Sequence, residues 1–159
     1  MGKKKGGGRF LPGLNVGVAT PDKQMSDAFA SLRTLLLKTP DELVWGELTK
    51  LFTKLADSEE YPLMLAYAEQ HMTEWDDSLR RLEGFPHESP IWPLVREVRF
   101  GGEEIGDAHF DKAVEDPALL QHITRMTLGW TDIPTKRLAR LFRDDSLIRL
   151  TFLDLEGLP

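Results

Sequence analysis

Few residues of this chain have the spacing of catalytic or metal-binding groups. His71 and Glu74, three positions apart, could share one face of a helix, but a zinc site requires three or four ligands. The chain has no cysteine, no Walker motif and no G-x-G-x-x-G loop that would cradle a phosphate. We therefore predict that the protein is not an enzyme and that it uses no cofactor and no metal. The remaining histidines lie in unrelated local contexts, at His87, His109 and His122.

The charges of the chain are unevenly distributed. The net charge is −6, yet the first nine residues carry +4, so the rest of the chain carries −10. A basic segment attracts phosphates with little sequence preference, whereas an acidic body repels them. We predict a solubilising tail, and the alternative is a tail anchor that makes weak contact with nucleic acid or an anionic surface. The tail anchor comprises Lys3, Lys4, Lys5 and Arg9.

Composition divides the chain into four segments. Residues 1–22 are rich in glycine and basic residues and are predicted to be a flexible tail. No apolar run approaches the 18 residues of a membrane helix, and the first 30 residues lack a secretory apolar core. We therefore expect a cytoplasmic protein that is not transmembrane. The other segments are a helical unit at 23–84, a Pro-rich junction at 85–93 and a repeat region at 94–159.

The helical unit contains apolar residues at helical spacing. Thr39-Pro40-Asp41-Glu42 predicts a helix start, with Thr39 as the capping residue, Pro40 at the first helical position and Glu42 at the third. Gly84 is expected to stop the last helix. The helices are predicted at 23–38, from Pro40 onward, at 62–71 and at 74–83.

The repeat region copies its own apolar pattern. The first copy follows after 28 residues and a third start after a further 27. A fixed period between 20 and 50 residues is typical of solenoids, in which each unit buries its apolar edge against the next. The pattern of each unit predicts a strand, a turn, a helix and a second turn, and therefore an α/β fold with parallel strands. The recurring positions are Val95, Val98 and Phe100, then Ile123, Met126 and Leu128, then Leu150, Leu153 and Leu155.

These residues resemble the strand signature of leucine-rich repeats. The unit length, with a full helix, is similar to the ribonuclease-inhibitor-like subclass, and the resemblance covers about residues 94–159. It implies a short solenoid of about 2.5 βα repeats, capped by the N-terminal helical unit. The chain departs from the family at Glu103, Thr131 and Leu158, where the family usually has Asn or Cys. We therefore expect degenerate turns.

The resemblance also implies a binding surface. In leucine-rich repeats, strand residues between the buried positions face the concave side, and Trp and Arg are favoured interface anchors. The alternative is that Glu97, Arg99 and Arg125 form a solvated cross-strand charge pattern while Trp130 packs on its turn. The partner-binding residues implied are Glu97, Arg99, Arg125, Thr127, Trp130, Phe152, Asp154 and Glu156.

The last strand has an apolar edge that requires cover. An open edge is a template for pairing with another chain. Three explanations compete: the tail near Phe10 folds back over it, a second copy or a partner adds a strand, or the sequence is cut from something longer. We predict a non-catalytic protein–protein interaction module that binds another protein, or itself, through its strand face or its open edge strand. The alternative is a subunit of a larger assembly, anchored by its basic tail to nucleic acid, membrane or another protein.

Overall fold

The fold is α/β, with an all-parallel sheet, as the sequence predicts. The computed structural model describes residues 21–100, 107–129, 135–142 and 147–155. The sheet has the order β1-β2-β3-β4. Its strands are β1 (Arg81–Glu83), β2 (Glu97–Phe100), β3 (Arg125–Leu128) and β4 (Phe152–Asp154). The α-helices of the described residues are α1 (Pro21–Leu36), α2 (Glu42–Leu55), α3 (Tyr61–His71), α4 (Asp107–Glu115) and α5 (Thr135–Leu141).

The start of α2 corrects one sequence prediction. Asp41, not Thr39, is the capping residue: its Oδ1 accepts a hydrogen bond from the Val44 amide at 2.7 Å. Asp41 has an extended backbone, which lets its carboxylate reach a free N–H of the first turn. Its negative charge is also favourable beside the positive end of the helix dipole. Pro40 therefore lies before the helix.

The predicted helix at 74–83 is wrong. A short 3-10 turn over Asp77–Leu79 leads into β1, which pairs in parallel with β2. The reason is a tertiary pairing: the Arg80 carbonyl accepts hydrogen bonds from the Arg96 and Glu97 amides, at 2.8 and 3.1 Å. Gly84 does not end a helix. It has a φ of 73°, and its amide donates to the Arg99 carbonyl at 2.7 Å.

The repeat spacing of the sequence sets the register of the sheet. Val98 pairs with Met126, 28 residues away, and Met126 pairs with Leu153, 27 residues away. Val98 and Met126 are fully buried. The strands of the three predicted units therefore pair side by side in chain order, in parallel.

One backbone arrangement, which we call the paired-donor junction, joins each strand to the next. In it, the carbonyl just before a strand accepts hydrogen bonds from two successive amides at the start of the following strand. The Arg80 carbonyl does this for β2 and the Arg96 carbonyl for β3, with the Thr124 and Arg125 amides each at 2.9 Å. Thr124 repeats the arrangement for β4, accepting from Thr151 at 2.8 Å and Phe152 at 3.1 Å.

The Pro-rich junction belongs to the core. Phe85, Ile91 and Trp92 are buried. The Phe85 ring meets the Trp92 ring edge-on, with centroids 5.0 Å apart, and it stacks on Phe100 of β2. Prolines keep the segment from forming a long helix, and its aromatic residues fill the space beside the sheet.

The outer edge of β1 is covered by α2. Successive strand residues direct their backbone polar groups to alternate sides, so the Arg81 carbonyl points away from β2 while that of Arg80 points toward it. Trp45 of α2 is buried, and its Nε1–H donates to the Arg81 carbonyl at 2.8 Å. Glu42 also forms an ion pair with the Arg81 guanidinium at 2.7 Å. The outer carbonyl of Arg81 is therefore already paired and is not a free acceptor for another strand.

We expect Trp45→Phe to lower the free energy of unfolding by about 1–2 kcal/mol, because the variant leaves the Arg81 carbonyl unpaired. Urea denaturation followed by far-UV circular dichroism measures the change. Leu43→Ala on the same helix is the control, since Leu43 is 79% exposed, and we expect a change within about 0.5 kcal/mol. Equal stability of Trp45→Phe and the unmodified protein would contradict this role for the indole.

Candidate functional site

One face of the sheet has mostly polar side chains. Phe100 of β2 packs on Phe110 of α4, with ring centroids 6.0 Å apart, so the residues that alternate with Val98 and Phe100 lie on the opposite side. We call this side the strand face. It comprises Arg81, Glu83, Glu97, Arg99, Arg125, Thr127, Phe152 and Asp154.

A buried carboxylate organises the strand face. Glu97 is 1% exposed. Its Oε1 accepts a hydrogen bond from Arg99 Nε at 2.6 Å, and its Oε2 accepts one from Arg125 Nε at 3.0 Å. The Arg125 guanidinium lies over the Phe152 ring, 4.1 Å from its centroid, in cation–π geometry. The ion pair between Glu97 and Arg125, together with the cation–π contact between Arg125 and Phe152, thus links β2, β3 and β4.

A second row of the strand face contains charges of both signs and one threonine. In the sheet register Glu83 pairs with Arg99, Arg99 with Thr127 and Thr127 with Asp154. The hydrogen bond to Glu97 raises the pKa of Arg99, and the negative charges of Glu97 and Glu83 act in the same direction. The face is therefore a lattice of mixed charges rather than a patch of one sign.

The structure brings together most of the predicted partner-binding residues. Arg99, Arg125, Thr127, Phe152 and Asp154 lie on the strand face, whereas Trp130, Glu156 and the tail anchor lie outside the described residues. Glu97 is too buried to contact a partner, so it positions the two arginines instead. The cross-strand charge pattern of the alternative interpretation is present, although its central carboxylate is not solvated.

Sequence reasoning missed a polar cluster between α3 and the sheet. Glu69 of α3 forms ion pairs with Arg80, at 2.6 Å, and with Arg96. The Arg80 side chain is 4% exposed, and its Nε also donates to the Leu94 carbonyl at 2.8 Å. Arg80 and Arg96 each directly precede a strand, as Thr124 and Thr151 do. This shared position before a strand was the sequence signal that could have indicated the cluster.

An apolar surface is exposed at β4 and beside it, and we call this surface the end face. It comprises Ile148, Leu153 and Leu155, which are 79%, 38% and 46% exposed. By the repeat spacing they correspond to residues of the preceding unit that are fully buried, because β4 and its flanking residues lie against that unit. Those buried counterparts are Leu120, Met126 and Leu128.

The next carbonyl of the paired-donor junction is that of Thr151, for which the described part of the chain supplies no donor. Thr151 directly precedes β4, as Arg80, Arg96 and Thr124 precede their strands. Within the described ranges the Thr151 carbonyl accepts no hydrogen bond. Because the Phe152 amide points to β3, the backbone groups of Leu153 point outward. The β4 edge therefore offers a backbone template beside apolar side chains.

The described side chains of His71, His87 and His122 do not form a reactive cluster. α3 ends at His71, so the predicted sharing of a helix face by His71 and Glu74 is wrong. No group of three His, Cys, Asp or Glu side chains among the described residues could hold a metal ion. Burial lowers the pKa of His122 from 6.5 to about 4, and the nearby Arg96 charge acts in the same direction. Its Nε2 lies 2.9 Å from the Trp92 carbonyl oxygen.

Comparison with known proteins gives no relative from which a function could be inferred. No protein-family model, no curated protein and no solved structure matches the chain. In the part of the chain that the structure describes, no helix is long and apolar enough to cross a membrane. The features of the molecule that bear on function are the end face, the β4 edge and the strand face.

We expect Glu97→Gln to lower the free energy of unfolding by about 2 kcal/mol, because an amide cannot satisfy both arginines and part of a buried ion pair is lost. Urea denaturation near pH 7 measures it. Glu83→Gln is the matched control: Glu83 pairs in register with Arg99 but is exposed, so its removal should change stability by less than about 0.5 kcal/mol. Equal losses in the two variants would argue against a special role for Glu97.

The lowered pKa of His122 predicts that the free energy of unfolding depends on pH. Its folded pKa of about 4 lies below the ordinary 6.5, so between these values the unfolded chain binds the proton and the folded protein does not. Stability contributed by neutral His122 is therefore lost as the pH falls from 6.5 toward 4. We expect this loss to be about 2 kcal/mol, less than the full shift would give because the ring is partly solvated.

The measurement compares urea denaturation at pH 7 and at about pH 4.5 for the unmodified protein and His122→Gln. The variant should lose less stability over this interval, because it lacks the titrating ring. An identical loss in both proteins would assign the pH dependence to other groups.

Proposed function

We propose that this protein is a non-catalytic protein-interaction module that binds a partner strand along β4 and over the end face. The observation that supports this most directly is the Thr151 carbonyl, the fourth in a series whose other three members each bind the start of another strand. A β4 edge with this acceptor is suited to β-augmentation, in which main-chain hydrogen bonds supply affinity and side-chain pockets supply specificity.

The end face would supply the apolar part of the contact. Ile148, Leu153 and Leu155 correspond to positions that are fully buried where a further unit covers them. Leu153 also extends a row of apolar residues that crosses the sheet through Val98 and Met126. Burying such side chains contributes roughly 1.5–3 kcal/mol each when the burial is complete.

The strand face is a second contact surface in this proposal. Phe152 is 39% exposed and lies at the end of the Glu97–Arg125 ion pair. Arg99, whose side chain is 37% exposed, lies on the same face and forms an ion pair with Glu97. Mixed charges of this kind favour the correct partner and register more than they add affinity.

We also propose that the sheet is a short leucine-rich-repeat-like solenoid. The 28- and 27-residue register of β2, β3 and β4 supports this assignment. The positions that depart from the family, Glu103, Thr131 and Leu158, lie outside the described residues. The alternative function is anchoring by the basic tail. The tail also lies outside the described residues, so no described contact favours this alternative.

The proposal predicts that Leu153→Asp lowers partner capture at least about tenfold, because a charge replaces a half-buried apolar contact. The test immobilises the full chain, captures partners from its native lysate with nuclease present, and quantifies each protein by mass spectrometry. Ile148→Asp serves as a second variant, since its 79% exposure makes unfolding a minor concern. Circular dichroism establishes that each variant is folded.

Leu37→Asp is the matched control, because Leu37 is 85% exposed but lies beyond α1, away from the sheet. A stoichiometric partner that is lost from both end-face variants and kept by the control would support the proposal. A partner that binds all variants equally would exclude the end face as its site.

A further inference from the structure

The β4 edge is built to receive a strand that runs parallel to β4. Each filled paired-donor junction in the sheet joins two parallel strands, with two successive amides converging on one carbonyl. Parallel and antiparallel pairs have different hydrogen-bond patterns. A strand that reproduces this junction at the Thr151 carbonyl must therefore enter in the direction of β4.

Two arrangements of a second copy do not meet this requirement. Two copies related edge to edge by a twofold axis perpendicular to the sheet place their β4 strands antiparallel. A head-to-tail copy would offer β1 in the parallel direction, but its outer Arg81 carbonyl is bonded to Trp45 and its guanidinium to Glu42. Both arrangements lack a free parallel strand edge.

The charges beside the end face indicate the chemistry of the partner. Arg149 is exposed and forms no ion pair within the described residues. Gln121, the residue equivalent to Arg149 in the preceding unit, lines the same open cleft of ≈ 550 Å³ as Ile148 and Arg149. Equivalent residues of adjacent units thus lie side by side. A further strand would bring its own equivalent residue next to Arg149.

We infer that the partner at β4 is a different protein, which contributes a parallel strand with an apolar residue beside Leu153 and an acidic residue beside Arg149. The acidic residue lies four or five positions before the apolar one, the spacings of Arg149 from Leu153 and of Gln121 from Met126. This inference rests on the proposed function of the β4 edge and specifies the partner of that site.

Two synthetic peptides test the inference. The first has the sequence of residues 147–155, Leu-Ile-Arg-Leu-Thr-Phe-Leu-Asp-Leu, which is the strand that a further unit of the same kind would supply. The second is identical except for Arg149→Glu. Both are titrated with the full-length protein at low ionic strength, and the dissociation constants are measured by fluorescence anisotropy.

We expect the Arg149→Glu peptide to bind at least about threefold more tightly, the effect of an exposed ion pair of ordinary strength. The preference should reverse when the protein itself carries Arg149→Glu, and it should shrink as salt is added, because the pair is exposed. The Leu153→Asp protein should bind neither peptide. Leu37→Asp should bind both as the unmodified protein does.

The outcomes separate the inference from the proposed function. If both peptides bind with the same affinity and Leu153→Asp abolishes both, the acidic partner is excluded while the edge remains a binding site. If neither peptide binds, the proposed function of the edge fails as well. Sedimentation equilibrium of the full chain adds a further test: a dimer that Leu153→Asp dissociates would make a second copy the occupant and overturn the inference.

Discussion

The sheet depends on a repeated convergence of two amides on one carbonyl. The arrangement occurs before β2, β3 and β4, and it fixes both the direction and the register of each added strand. Parallel pairs are somewhat weaker per residue than antiparallel ones and occur where both faces are covered. Here α4 covers one face, through Phe110, and a charge lattice held by Glu97 occupies the other.

The two edges of the sheet differ in how far other residues engage them. Trp45 and Glu42 engage the outer side of β1, whereas β4 leaves its backbone and the end face exposed. Proteins usually blunt or cover such an edge, because it pairs readily with other chains. The contrast within one sheet is the reason to regard the β4 edge as a binding site.

Much of the sheet could be predicted because Val98, Met126 and Leu153 recur at nearly constant spacing. β1 could not be predicted in this way, because Trp75, Leu79 and Leu82 fall at helical spacing. Only hydrogen bonds from amides at the start of β2, which is distant in sequence, define this strand. The resemblance to leucine-rich repeats likewise implied that Arg99 and Arg125 share one face, and they do. The burial of Glu97 depends on both arginines folding over it, which no local pattern shows.

Glu69 has a consequence for how the molecule folds. Its carboxylate bridges arginines that precede β1 and β2, although it belongs to α3. Undocking α3 would leave the guanidinium of Arg80 without its carboxylate; the Arg80 side chain is 4% exposed, whereas that of Glu69 is 44% exposed. Leaving a buried polar group unpaired costs about 1–3 kcal/mol. That is an appreciable share of the stability of a typical domain. The helices and the sheet should therefore melt in one cooperative transition, and proteolytic fragments that divide them should not persist as folded pieces.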